Sequence, residues 1–130
     1  MIHFTVKTTD RTQFVDITQE VTRALKTVSA DQGYLVVSVP HTTCGLMVNE
    51  NYDPDVAADI NAFLKRLIPE KNGFRHAEGN SDAHIKAALI GTTLLIPFDK
   101  GKLLLGAWQG LFLCEFDGPR TRTVRAGVLL

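Results

Sequence analysis

A chain of 130 residues, 45% hydrophobic and 22% charged, has the make-up of one globular domain, residues 1–130, long enough to bury a core without staples. Its 14 basic and 14 acidic residues cancel, leaving no global basic field to hold nucleic acid. No apolar run nears the ~20 residues of a membrane helix, and Met1 to Val6 alternates instead of running basic then apolar, so a cytoplasmic chain with reduced cysteines is expected.

Residues 2–9 put Ile2, Phe4 and Val6 on one face and His3, Thr5 and Lys7 on the other, the period of a half-buried strand. Gln13 to Ile17 reads as a short second strand. Thr18 suits an N-cap, and Val21, Ala24, Leu25 and Val28 recur at helical spacing. Asp31-Gln32-Gly33 is expected to end that helix, with Gly33 in the left-handed position. Tyr34 to Val39 is nearly all apolar, as in a strand covered on both faces. Leu46 to Val48 resumes after a polar break, and the two runs are expected to pair as a hairpin with His41 and Glu50 near one end. Asp53-Pro54 starts a helix with an acceptor at the N-cap and proline at N1. Val56, Ile60, Phe63, Leu64 and Leu67 form its apolar stripe, and Pro69 closes it. A polar loop, His76 to His84, feeds a short helix over Ile85 to Ile90 that ends at Gly91. Strands then follow over 93–98, 102–109, 111–116 and 121–128, with a kink expected at Gly110 and turns at 99–101 and 117–120. The order is α+β, with no βαβ series.

Polar groups concentrate in three loops: 41–44 with 49–53, 76–84, and 117–122. His41, His76 and His84 are candidates for metal binding or proton transfer, because three histidines and an open position make a catalytic zinc site. No compact HExxH-type motif accompanies them. Glu50, Glu78, Asp53 and Asp82 are candidates to orient the rings, with helix capping as the plainer role of Asp53 and Asp82. Gly79-Asn80-Ser81 at a helix start suits phosphate, Thr42 and Thr43 add hydroxyls, and Arg120 and Arg122 suit a bidentate clamp. No P-loop pattern is present. Cys44 near His41 suggests a nucleophile pair, but a small buried thiol is the plainer expectation, and Cys114 in its apolar strand is core.

These pieces, in this order, resemble the YjbQ-like family, described as secondary thiamine-phosphate synthases. The matching residues are His41-Thr42-Thr43, Asn49-Glu50-Asn51, Asp53-Pro54-Asp55, Asp59, His76, Glu78-Gly79-Asn80 and Asp82-Ala83-His84-Ile85-Lys86 with Gly91. Further on they are Gly101-Lys102-Leu103, Leu105-Gly106-Ala107-Trp108-Gln109 and Glu115-Phe116-Asp117-Gly118-Pro119-Arg120 with Arg122. The resemblance implies two packed, mostly antiparallel β-sheets with two main helices and one short helix, assembled as a homotrimer. It implies a three-histidine site near a subunit boundary that joins hydroxymethylpyrimidine diphosphate to thiazole phosphate and releases pyrophosphate. Catalytic roles then fall to His41, Glu50 and His84. Substrate contacts fall to Thr42, Thr43, Asn49, Gly79, Asn80 and Arg120. A divalent metal, zinc or magnesium, would sit on His41, His76 and His84. A metal-dependent hydrolase or phosphatase of a small phosphorylated molecule, and a non-catalytic trimeric ligand-binding protein, are the other expectations. Neither nucleic acid nor membrane is an expected partner.

Overall fold

Two antiparallel sheets form because the apolar residues alternate along most strands and can cover two separate layers. The computed structural model describes residues 1–129. One sheet has the order β1-β8-β3-β5-β6, from Ile2–Lys7, Thr121–Leu129, Gln32–Ser38, Thr93–Asp99 and Lys102–Leu103. The other has the order β2-β7-β4, from Gln13–Asp16, Gln109–Glu115 and Cys44–Glu50. Helix α1 is Thr18–Leu25, α2 is Pro54–Leu67 and α3 is Ser81–Ile90.

Strand β7 shows how the layers are built. Leu111 and Leu113 turn inward and join Leu35, Val37 and Val124 of the larger sheet and Val21 and Leu25 of α1 in the main core. Phe112 and Cys114 turn outward and pack with Leu64 of α2 and Ala83 and Ala87 of α3. The helices α2 and α3 therefore cover the outer face of the smaller sheet. Gly45 of β4 makes the close approach of α3 possible, since a Cβ there would lie 2.6 Å from the Gly91 carbonyl oxygen.

The α+β class and the two-sheet packing match expectation. Several local expectations do not. β3 and β4 form no hairpin: Pro40 ends β3, the chain crosses to the second sheet, and β3 pairs instead with β5 and β8. Helix α1 stops at Leu25 because the Thr27 hydroxyl and amide both donate to the Ala24 carbonyl, at 2.7 and 3.1 Å. Gly33 then lies inside β3, paired with Phe98. The expected strand over 102–109 is cut to Lys102–Leu103, because Gly106 and Gln109 close a turn in which the Gly106 amide donates to Gln109 Oε1 at 2.8 Å. Gly110 is a regular β7 position paired with Asn49, and a Cβ there would lie 2.3 Å from Asn51 Nδ2. Helix α3 starts at Ser81, ahead of the expected Ile85. The α2 stripe is only half used, for Leu64 is buried while Phe63 and Leu67 stay exposed.

Candidate functional site

A polar network closes one end of the sandwich, where the inward alternation of β7 and β8 passes from apolar to charged. Glu115 follows Leu111 and Leu113 inward, and Arg122 precedes Val124 and Ala126 inward. Glu115 is fully buried and Arg122 is 3% exposed. Arg122 Nε donates to Glu115 Oε2 at 2.8 Å, and its Nη2 donates to Glu115 Oε1 and to the Thr43 hydroxyl and carbonyl oxygens. The Thr8 hydroxyl and the Asp117 amide, each at 2.9 Å, also donate to the Glu115 carboxylate. Burial alone would raise the Glu115 pKa, but these donors outweigh it and hold the carboxyl below its ordinary value. Arg122 Nη1 makes no hydrogen bond among the described residues.

Above this floor lies a cleft of about 450 Å³ lined by Pro40, His41, Thr42, Thr43, His76, Glu78, Asn80, His84, Arg120 and Arg122. His41 sits where β3 has ended, and its Nε2 accepts the Thr123 amide hydrogen of β8 at 2.9 Å. The neutral ring that accepts there carries its proton on Nδ1. Burial, then the nearby Arg122 charge, keeps the His41 pKa below the ordinary value. His76 and His84 meet edge to face, with ring centroids 5.4 Å apart and planes at 90°. His76 Nε2 is 3.8 Å from Glu78 Oε2. Asn80 Nδ2 donates to Asp117 Oδ2 at 2.8 Å, while its Oδ1 is buried without a partner among the described residues. Arg120 donates through Nε to the Asp117 carbonyl at 2.7 Å and through Nη2 to Asp117 Oδ2 at 3.0 Å. Burial would raise the Asp117 pKa, but the Asn80 and Arg120 donors lower it overall.

The fold thus brings His41, Thr42, Thr43, His76, Asn80, His84 and Arg120 to one cleft. It does not bring Asn49 and Glu50 there. β4 enters at Cys44, opposite Glu115, and leaves at Glu50, opposite Gln109. Six strand steps of about 3.3 Å put Glu50 roughly 20 Å away. Its carboxylate accepts the Asp53 amide at 3.3 Å instead. Gly79 is also outside the cleft lining. Its backbone φ is +77°, and its amide donates to the His76 carbonyl at 3.3 Å, so it shapes a turn and has no free donor. Asn80 spends its expected donor on Asp117, and its Oδ1 is buried. Asp53 caps α2, accepting the Asp55 amide at 2.9 Å. Asp82 caps nothing and pairs with Arg11 at 3.1 Å. Both cysteines are buried and free. Burial pushes the Cys44 thiol up to about 11, which removes it as a nucleophile at neutral pH.

Each ring of a three-histidine metal site must offer a lone pair. That of His41 is taken by the Thr123 amide. Among the described residues no group of three or more His, Cys, Asp or Glu gathers in a metal-binding arrangement. The expected set of His41, His76 and His84 therefore does not fit a shared ion as placed. Glu115 and Asp117 carried no predicted role. A carboxylate at an inward position of an apolar strand was the signal for Glu115.

A two-sheet α+β protein with a histidine- and arginine-lined cleft at one end of the sandwich is the class these features define. No helix of the described residues is long and apolar enough to cross a membrane. The chain belongs to the YjbQ family, whose model, described as UPF0047 protein YjbQ-like, matches residues 2–129. The UPF0047 protein MJ1081 of Methanocaldococcus jannaschii is 48% identical over 122 residues, 94% of this chain and 88% of the relative. YugU of Bacillus subtilis is 43% identical over 119 residues, 91% of this chain and 90% of the relative. The crystal structure of a YjbQ/UPF0047 family protein from Clostridium acetobutylicum superposes with a TM-score of 0.97 at 45% identity, covering 99% of this chain and 100% of that one. The structure of the conserved hypothetical protein TT1486 from Thermus thermophilus gives a TM-score of 0.92 at 46% identity, with the same coverage.

Proposed function

We propose that this protein is a thiamine-phosphate synthase-like transferase that joins hydroxymethylpyrimidine diphosphate to thiazole phosphate in the histidine cleft. The observation that carries the proposal is one cleft holding two arginines, three histidines and two threonines. In the reaction the thiazole nitrogen attacks the pyrimidine methylene carbon. The carbon–oxygen bond to the diphosphate breaks, and its electron pair leaves with pyrophosphate. Negative charge therefore gathers on the departing oxygens. Arg120, the free Nη1 of Arg122 and the Thr42 and Thr43 hydroxyls are suited to receive it. The His76–His84 pair supplies a proton to the leaving group or a charge beside it. The same proposal includes a homotrimer in the cytoplasm, in which Asn49 and Glu50 of one copy reach the cleft of another.

The test mixes purified protein with both phosphorylated substrates and follows thiamine phosphate and pyrophosphate together. His84→Ala is expected to lower kcat by roughly 10²–10⁴ with an unchanged circular dichroism spectrum. Full activity in a variant lacking all three ring side chains would sink the proposal. Phosphate release without the thiazole partner, abolished by chelator, would favour a metal-dependent hydrolase instead.

A further inference from the structure

Helix α3 presents a second polar face, opposite the histidines. Lys86 lies two positions past His84, about 200° around the helix. It lines a separate cleft of about 360 Å³ with Arg11, Lys65, Ile68, Pro69 and Asp82. Lys86 and Asp82 are 2% and 1% exposed. Arg11 spans the opening, with Nη2 3.1 Å from Asp82 Oδ1 and Nη1 3.4 Å from Glu70 Oε1. Asp82 Oδ2 stands 3.6 Å from Lys86 Nζ, within ion-pair range but beyond hydrogen-bond length. The Phe116 ring centroid lies 5.9 Å from Nζ.

An ammonium carries three N–H donors, and buried donors are almost always satisfied. Asp82 takes one at most, which leaves two facing the cleft without an acceptor among the described residues. The charges around the cleft are also unequal. Arg11, Lys65 and Lys86 face only Glu70 and Asp82, leaving one positive charge unmatched. A monoanion would restore neutrality, whereas a phosphate dianion would overshoot beside the buried Asp82 carboxylate. Ile68 and Pro69 supply an apolar wall at the same opening.

We propose that this cleft is a second ligand site, which binds a small monocarboxylate with its carboxylate on Lys86 Nζ and a short apolar body against Ile68 and Pro69. The site is independent of the transferase chemistry and would stand if that chemistry failed. The experiment titrates the full-length protein with sodium butyrate and follows backbone amide shifts. Saturable shifts are expected at Arg11, Ile68 and Lys86, and inorganic phosphate should not displace the ligand. Lys86→Gln should weaken binding at least about tenfold. Lys65→Gln changes an exposed side chain and keeps the fold; it should weaken binding about threefold through charge alone. Shifts that never saturate, or that fall only around His41 and Arg120, would overturn the proposal. So would a folded Lys86→Gln variant with unchanged affinity, or displacement of butyrate by phosphate.

Discussion

Glu115 and Arg122 are where single residues matter most. The pair is buried, side-on and bidentate, with Thr8 and the Asp117 amide on the Glu115 carboxylate and Thr43 on Arg122 Nη2, which leaves only Arg122 Nη1 free. Removing one partner leaves the other charged and buried, so Arg122→Met should cost roughly 3–5 kcal/mol in a denaturant melt. The pair also sets an acid limit. Folded Glu115 titrates below its ordinary 4.5, so it binds fewer protons folded than unfolded between those two values. Its contribution is complete above 4.5 and is lost as pH falls through the depressed folded value. Glu115→Gln should flatten that part of the stability-versus-pH curve. His41 follows the same sign, because its folded pKa lies below the ordinary 6.5. Its contribution is present above 6.5 and fades as acid protonates the ring, whose Nε2 must then release the Thr123 amide. Faster Thr123 amide exchange on acidification, ahead of global unfolding, is the expected signal.

Elements are positioned here by glycines as much as by apolar faces. A Cβ on Gly45 meets a backbone oxygen at 2.6 Å, which only a shift of α3 against β4 can relieve. A Cβ on Gly110 meets the Asn51 side chain at 2.3 Å, which can swing away at the loss of its 3.0 Å bond to Asp16. Gly45→Ala should therefore be the more destabilising, by about 1–3 kcal/mol, and should also disturb the His84 environment on α3. Thermal unfolding of the two variants side by side checks the order. Gly79→Ala meets nothing within 4 Å and is penalised only by its positive φ, at about 1–2 kcal/mol. The strands and the capped start of α2 are legible from period and from Asp53-Pro54. The false hairpin is instructive by contrast. Neighbouring apolar runs suggest pairing, but which sheet each run joins depends on strands 55 and more residues away in the chain, β5, β7 and β8.

The larger sheet leaves an apolar patch uncovered on its outer face. Tyr34, Leu95 and Leu129 are exposed, and strand pairing places Tyr34 beside Pro97 and Leu129 on the outer face of the larger sheet. Neither α2 nor α3 packs on that face. Contact between copies through this patch would remove it from water. The proposed trimer should appear as three times the 14.3 kDa chain mass in light scattering. Tyr34→Glu with Leu95→Glu should shift that mass downward, and a monomeric wild-type protein would remove the assembly from the proposal.

Period and chemistry along the chain were enough for the α+β class, most strands, the cap of α2 and the family. Each depends on residues close in sequence, or on a motif order that survives without coordinates. Convergence of His41, His76, His84, Asn80 and Arg120 was suggested by their residue types and made an expectation by the family pattern. The exclusion of Glu50 and Asn49, the engagement of the His41 lone pair, the pairing of Asn80 with Asp117 and the Glu115–Arg122 floor were decided by tertiary structure alone. Strand register fixes which end of β4 meets the cleft, and burial fixes which polar atoms must find partners. Both are properties of segments that meet only after the two sheets close on each other.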